Sequence, residues 1–238
     1  MKKLKVFWSQ NPKPGNFGDI LTPIILKHYN YDITYCASDN PQAICVGSIS
    51  KFATANTIVL GSGILAKDTK LNKDAKWIWV RGPLTRKCVI QNGGKCPKIY
   101  GDPALLLPRI YRPNICKQYK IGIIPHYVDY KEVKQQYPDH FVINLLDDNP
   151  LNVIDQLLQC DKIISSSLHG IIVANAYGIP AAYVKFSDKL SGDGIKFEDY
   201  FRSINVETIL STIDKPKYIT ATYDDSIIDA ILKQGEFI

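Results

Sequence analysis

Between Lys162 and Pro180 the sequence spells out one complete structural unit, and it narrows the fold more than any other stretch. The apolar Lys162-Ile163-Ile164 leads into Ser165-Ser166-Ser167. Leu168-His169-Gly170 and an apolar run to Tyr177 follow, and Gly178-Ile179-Pro180 stops the run. This order predicts a buried strand, a hydroxyl-rich turn, a helix, a stop and a further strand. One of the serines is expected to be the helix N-cap, with its oxygen on a free amide. His169 then falls in the first helical turn, beside unpaired N–H groups and the positive end of the helix dipole. A helix start at the carboxyl end of a strand suits a phosphate or carboxylate. The simpler alternative is a capping turn with an ordinary loop histidine.

The same unit recurs along the chain. A first strand at Lys5-Val6-Phe7-Trp8 enters a Pro-, Asn- and Gly-rich loop to Gly18, and a helix is expected from Asp19 to His28. Asp19 is placed as its N-cap, and Pro23 lies in the first turn, where a missing N–H costs least. Strands are expected at Ala43 to Gly47, Thr57 to Leu60 and Trp77 to Val80. The second ends in Gly61-Ser62-Gly63, either a ligand approach or a plain tight turn. The third ends at Arg81-Gly82-Pro83, where Arg81 fits a carboxylate or phosphate, or a surface ion pair. Pro83 opens a helix that Gly93-Gly94 ends. Asp102 is read as a turn former. The segment from Pro108 to Lys120 reads as a linker. Beyond it come a strand ending at His126, a helix from Tyr130, a strand at Phe141 and a helix from Pro150 to Gln159. After the serine turn, Ala181 to Val184 is the next strand.

Alternating strands and helices imply an α/β protein with parallel sheets covered on both faces. The expected division is a Rossmann-like domain over 1–112 and a second over 113–238. A C-terminal helix from about Asp224 to Lys233 is placed to pack back on the first domain. If the carboxyl ends of the two sheets face one another, a ligand binds between them. The candidate site residues all follow strands or precede helices. Asn16, Gly18, Asp19, Gly63 and Arg81 come from one half; His126, Ser166, Ser167, His169 and Lys196 come from the other.

Composition excludes several classes. A hydrophobic content of 45% with 22% charged residues is that of a soluble globular chain. No apolar run approaches the roughly 20 residues that span a bilayer. The basic start is broken at once by Ser9 to Pro14, unlike a secretory signal, so the expected location is the cytoplasm, at most at the inner membrane surface. Six scattered cysteines with no C-x-x-C pair argue for reduced thiols, and no carboxylate cluster suggests a metal. The net charge of +6 suits an anionic ligand without the concentration or motif expected of a nucleic-acid binder.

Seven short motifs occur in one order: Asn16-Phe17-Gly18-Asp19, Gly61-Ser62-Gly63, Val80-Arg81-Gly82-Pro83, Gly101-Asp102-Pro103-Ala104, Ile124-Pro125-His126-Tyr127, Ser166-Ser167-Leu168-His169-Gly170, and Gly192 to Tyr200. This succession resembles the polysaccharide pyruvyl transferase family and runs from the first strand to about Tyr200. The resemblance implies a two-domain, glycosyltransferase-B-like fold with its active site in the interdomain cleft. It also implies transfer of pyruvate from phosphoenolpyruvate to two hydroxyls of a sugar, forming a cyclic ketal and releasing phosphate. No cofactor or metal is expected; the partners are the donor and a lipid-linked or nucleotide-linked sugar. Carried over by motif, Arg81 binds the donor's carboxylate or phosphate and His169 is the acid/base group, a role imidazole suits near neutral pH. Asn16 and Asp19 line the cleft. Many members carry Arg where this chain has Ser167, so either Lys196, Lys185 or Arg86 supplies the cation or the donor takes a different pose. A sugar-nucleotide glycosyltransferase and a non-catalytic phosphosugar-binding protein are the alternatives on the same scaffold.

Overall fold

Two parallel sheets carry the fold in the computed structural model, which describes residues 3–221 and Asp229. The first sheet has the order β2-β1-β3-β4-β5, from β1 (Lys3–Phe7), β2 (Asp32–Tyr35), β3 (Ala43–Ile44), β4 (Ile58–Leu60) and β5 (Lys76–Trp79). The second has the order β10-β9-β8-β6-β7, from β6 (Tyr119–Ile124), β7 (Phe141–Val142), β8 (Cys160–Ser165), β9 (Ala181–Val184) and β10 (Leu210–Ser211). Along both paths every pairing is parallel; β11 (Tyr218–Ile219) adds an antiparallel pair to β9.

The strand orders matter more than the strand count. In the first sheet the chain leaves β1 for β2 on one side and returns to β3 on the other. In the second it leaves β6 for β7 and returns to β8 on the opposite side. Each reversal opens a crevice at the carboxyl ends of two adjacent strands, the place where α/β sheets hold ligands.

The helices are α1 (Leu21–His28), α2 (Pro83–Gln91), α3 (Leu107–Ile110), α4 (Tyr130–Gln136), α5 (Pro150–Leu158), α6 (Leu168–Ala176) and α7 (Ile195–Ser203). Single 3-10 turns sit at Ser50–Phe52 and Pro103–Leu106. Helix α6 is buried from Leu168 to Asn175, as a helix apolar on every side must be. One contiguous core joins the halves: Phe17, Leu21, Leu105 and Leu107 of the first pack with Ile171, Ile172, Tyr200 and Phe201 of the second. Fully burying one such aliphatic side chain stabilises by about 1.5–3 kcal/mol. A second cluster, with Ile44, Val59 and Trp77 against Val89, covers the other face of the first sheet.

Several expectations are corrected. Helix α1 starts at Leu21 with Ile20 as N-cap and no side-chain cap, so Asp19 stands one step outside and caps nothing. Ser167 is the N-cap residue of α6, yet its hydroxyl makes no cap bond. The other serines stitch strands together instead: the Ser165 hydroxyl donates to the Ile124 carbonyl at 2.7 Å, and the Ser166 hydroxyl accepts the His126 N–H at 2.9 Å. The segment read as a linker begins inside α3 and is tied down, because the Tyr111 hydroxyl donates to Asp155 at 2.7 Å. Helix α7 follows a glycine loop without a strand's apolar lead-in, and it was legible only as a motif. The C-terminal helix expected from Asp224 to Lys233 lies outside the described residues, Asp229 apart. Among the described residues no helix is long and apolar enough to cross a membrane.

Candidate active site

A cavity of 280 Å³ opens where the two crevices meet. Phe7 ends β1 and Ser9 follows it, and Ser48 and Ile49 follow β3, the two strands of the first reversal; His126 follows β6 and Ser167 follows β8, the two of the second. Asn16 and Asp19 come from the loop before α1, Leu168 and His169 from the start of α6, and Lys196 from the start of α7. Lys51 and Phe52 complete one wall with Leu65. The volume is at the small end of ligand pockets and suits a compact molecule.

His169 is almost buried, and its imidazole edge lies flat against Gly18: a Cβ added there would sit 1.9 Å from Nδ1. Its Nε2 is 3.7 Å from Oδ2 of the fully buried Asp102, beyond hydrogen-bond distance, and neither atom has a hydrogen-bond partner among the described residues. The other Asp102 oxygen accepts the Ala104 N–H at 3.0 Å, so Asp102 both shapes its turn and faces the imidazole.

Arg81 is fully buried beneath the cavity and does not line it. Its guanidinium donates to the Ser48 hydroxyl and to the Ile64 carbonyl, each at 2.8 Å, and Nε lies 3.3 Å from Asp199. Its nearest link to the cavity is Ser48, which does border it. Gly63 leaves room for Arg81: a Cβ there would stand 2.2 Å from the guanidinium carbon. Asp199 belongs to α7 and reaches across to the first half. It accepts the Leu84 and Thr85 N–H groups at 2.8 and 2.9 Å and the Thr85 hydroxyl at 2.6 Å, capping α2 from outside.

The cavity's charges are set by burial. Burial lowers Lys196 to about 8; the Arg81 guanidinium pushes the same way and Asp19 opposes it. His126 is lowered to about 4 by burial and then by the Lys196 ammonium, so it is neutral at pH 7. Burial raises the Asp19 carboxyl, against a 2.9 Å hydrogen bond from the Asn16 amide and the pull of His169 and Lys196. Of the three cations expected to replace the missing arginine, Lys196 borders the cavity. Lys185 pairs with Asp188 at the surface, and Arg86 donates to the Cys96 carbonyl. Phe197 stacks on Tyr183 at 4.0 Å and holds the first turn of α7, and Lys196 with it, in place. Among the described residues no three His, Cys, Asp or Glu side chains are grouped to hold a metal.

Asp199, Ser48 and Lys51 were not singled out from sequence, and Asp102 was read as a turn former alone. Asp102 and Asp199 each sit inside a motif that was, and their partners lie 67 and 114–118 positions away in sequence.

Two parallel sheets, each with a switch point, and a small polar cavity lined by Lys196, His169 and Asp19 define an α/β protein with its candidate site at the carboxyl ends of its strands. The comparisons make this specific: the chain belongs to the polysaccharide pyruvyl transferase family, whose model matches residues 2–187. It is 35% identical over 181 residues to the uncharacterized protein L143 of Acanthamoeba polyphaga mimivirus, covering 71% of this chain. It is 26% identical over 208 residues to the succinoglycan biosynthesis protein ExoV of Rhizobium meliloti (strain 1021), covering 81% of this chain. In both cases the match spans 62% of the relative's length. No solved structure matches the chain.

Proposed function

We propose that the chain is a ketal pyruvyl transferase that moves pyruvate from phosphoenolpyruvate to two hydroxyls of a cell-surface sugar and releases phosphate. The observation that carries this reading is the convergence of both switch points on one small cavity with Lys196, His169 and the start of α6 on its wall. Phosphoenolpyruvate is a compact polyanion, and fixed positive groups in a largely dry site bind it without reorganisation. Lys196 and the α6 amides receive its phosphate or carboxylate, with Lys51 at the rim. Arg81 adds positive potential from below and holds Ser48.

The chemistry requires a proton on the donor's C3, which makes C2 electrophilic, and removal of a proton from each attacking hydroxyl. His169 is the base for the first hydroxyl, with Asp102 stabilising the imidazolium. Neutral His126, Asn16 and Ser167 offer hydrogen bonds to the hydroxyls. On this reading the two halves form a glycosyltransferase-B-like pair with the site between them, working on the cytoplasmic side on a lipid-linked or nucleotide-linked acceptor.

The test sets phosphate released from phosphoenolpyruvate with sugar acceptors against nucleotide released from nucleotide sugars. Acceptor-dependent phosphate release supports the proposal. Nucleotide release favours a glycosyltransferase, and donor binding without turnover of either favours a phosphosugar-binding protein.

A further inference from the structure

Among the described residues Asp19 is the one carboxyl on the cavity wall. It leaves the chain just before α1 and caps nothing, so no structural duty accounts for its position. Oδ2 accepts the Asn16 amide at 2.9 Å, which fixes the plane of the carboxyl, and Asp19 directly follows Gly18, on which the His169 ring lies. The titratable and charged groups facing it are His169 from α6 and Lys196 from α7; behind it stands the backbone of Gly47, where an added Cβ would be 3.2 Å from Oδ1.

A carboxylate beside a bound polyanion is repelled by it, so the pair is compatible when Asp19 carries a proton. The other wall groups are unsuited to proton donation. His126, lowered to about 4, is already neutral; Lys196 must keep its charge to hold the anion; His169 faces Asp102, an arrangement for accepting a proton. Burial, which raises the Asp19 carboxyl, works in the same direction as the bound donor.

We propose that Asp19 is the general acid that protonates the methylene carbon of the donor, opposite His169 as the base. The assignment rests on the pyruvyl-transfer reading above. The Asp19 proton forms the new C3–H bond with the electron pair of the C2–C3 double bond. A hydroxyl oxygen bonds to C2 as His169 takes its proton. The second hydroxyl then displaces phosphate, which leaves with the electron pair of its C–O bond. That hydroxyl's proton returns to Asp19, and the His169 proton leaves with the phosphate. With water as acceptor the same steps give pyruvate and phosphate.

The experiment uses the full chain, phosphoenolpyruvate and water as the acceptor. Phosphate and pyruvate release are followed, methylene proton exchange is read in D2O, and donor affinity is measured by calorimetry. Asp19→Asn is expected to bind phosphoenolpyruvate as tightly as the wild type or tighter, because a like charge is gone. Its turnover is expected to fall about 10²–10⁴-fold, the range of a lost general acid. Asp19→Glu, which keeps the acid, should recover part of the rate. Turnover of Asp19→Asn within tenfold of wild type, or an affinity weakened by the same factor as the rate, overturns the assignment and leaves the donor reading standing. Wild type that binds the donor but neither hydrolyses nor exchanges it also overturns the assignment. Wild type that does not bind phosphoenolpyruvate overturns the donor reading and this assignment together.

Discussion

Arg81 and Asp199, 118 positions apart, meet at 3.3 Å with both side chains fully buried, and they join the two halves beneath the cavity. Asp199 also takes the first amides of α2, so one carboxylate anchors a helix start, a buried guanidinium and the contact between the sheets. Asp199→Ala would strand the Arg81 charge and uncap α2. Unpairing a buried ion pair costs about 3–5 kcal/mol. Urea unfolding should show a loss of that size, and a loss below 1 kcal/mol would contradict the latch.

Gly18 and His169 are coupled sterically. In Gly18→Ala the new Cβ would lie 1.9 Å from the Nδ1 position, so the imidazole must move off Asp102. Overpacking of this kind costs about 1–3 kcal/mol. Turnover should fall with stability only modestly changed, and an unaltered rate would show that the ring's present position is not needed.

His169→Ala should remove donor turnover while the protein stays folded, and Asp102→Asn should lower it by about 10²–10⁴-fold with donor affinity retained. Phosphate-release rates alongside melting curves decide the matter. Near-normal rates in either variant would reject the imidazole–carboxylate pair as the base.

His126 gives a pH signature. Its folded-state value of about 4 lies below the ordinary 6.5, so between those values the unfolded chain holds a proton that the folded chain does not. Stability therefore rises with pH across that window, and this contribution is lost as the medium is acidified from 6.5 towards 4. His126→Gln should flatten the acid side of a plot of unfolding free energy against pH; an unchanged slope would contradict the burial argument.

How much of this was legible in the sequence follows from how local each signal is. The strand at Ile163-Ile164, the helix after the serine turn and the Pro83 helix start are written in neighbouring residues, and each forms where expected. Asp19 was misplaced because an acidic residue before an apolar periodic run reads as a cap, and the periodicity does not say at which residue the helix begins. Ser167 is the N-cap without a side-chain bond because the hydroxyls that do bond, those of Ser165 and Ser166, serve Ile124 at the end of β6 and His126 just beyond it, about 40 positions away. Both strand-order reversals, the Asp102–His169 approach and the Arg81–Asp199 pair depend on non-local packing. The glycine turn at Gly63 reads as a close-approach position, but the groups that come up against Gly63 and Gly18 are the Arg81 and His169 side chains, which no local pattern names.

The central claim is that the cavity at the two switch points receives phosphoenolpyruvate through Lys196. Calorimetric titration of phosphoenolpyruvate into the wild type and Lys196→Met, from pH 6.5 to 9, tests it most directly. Burial lowers Lys196 to about 8, and an anion prefers its charged form. The account predicts wild-type binding that is strong near pH 7 and weakens as pH rises through and above 8, with Lys196→Met weak at every pH. Equal affinity in the two proteins, or no binding by either, would contradict it.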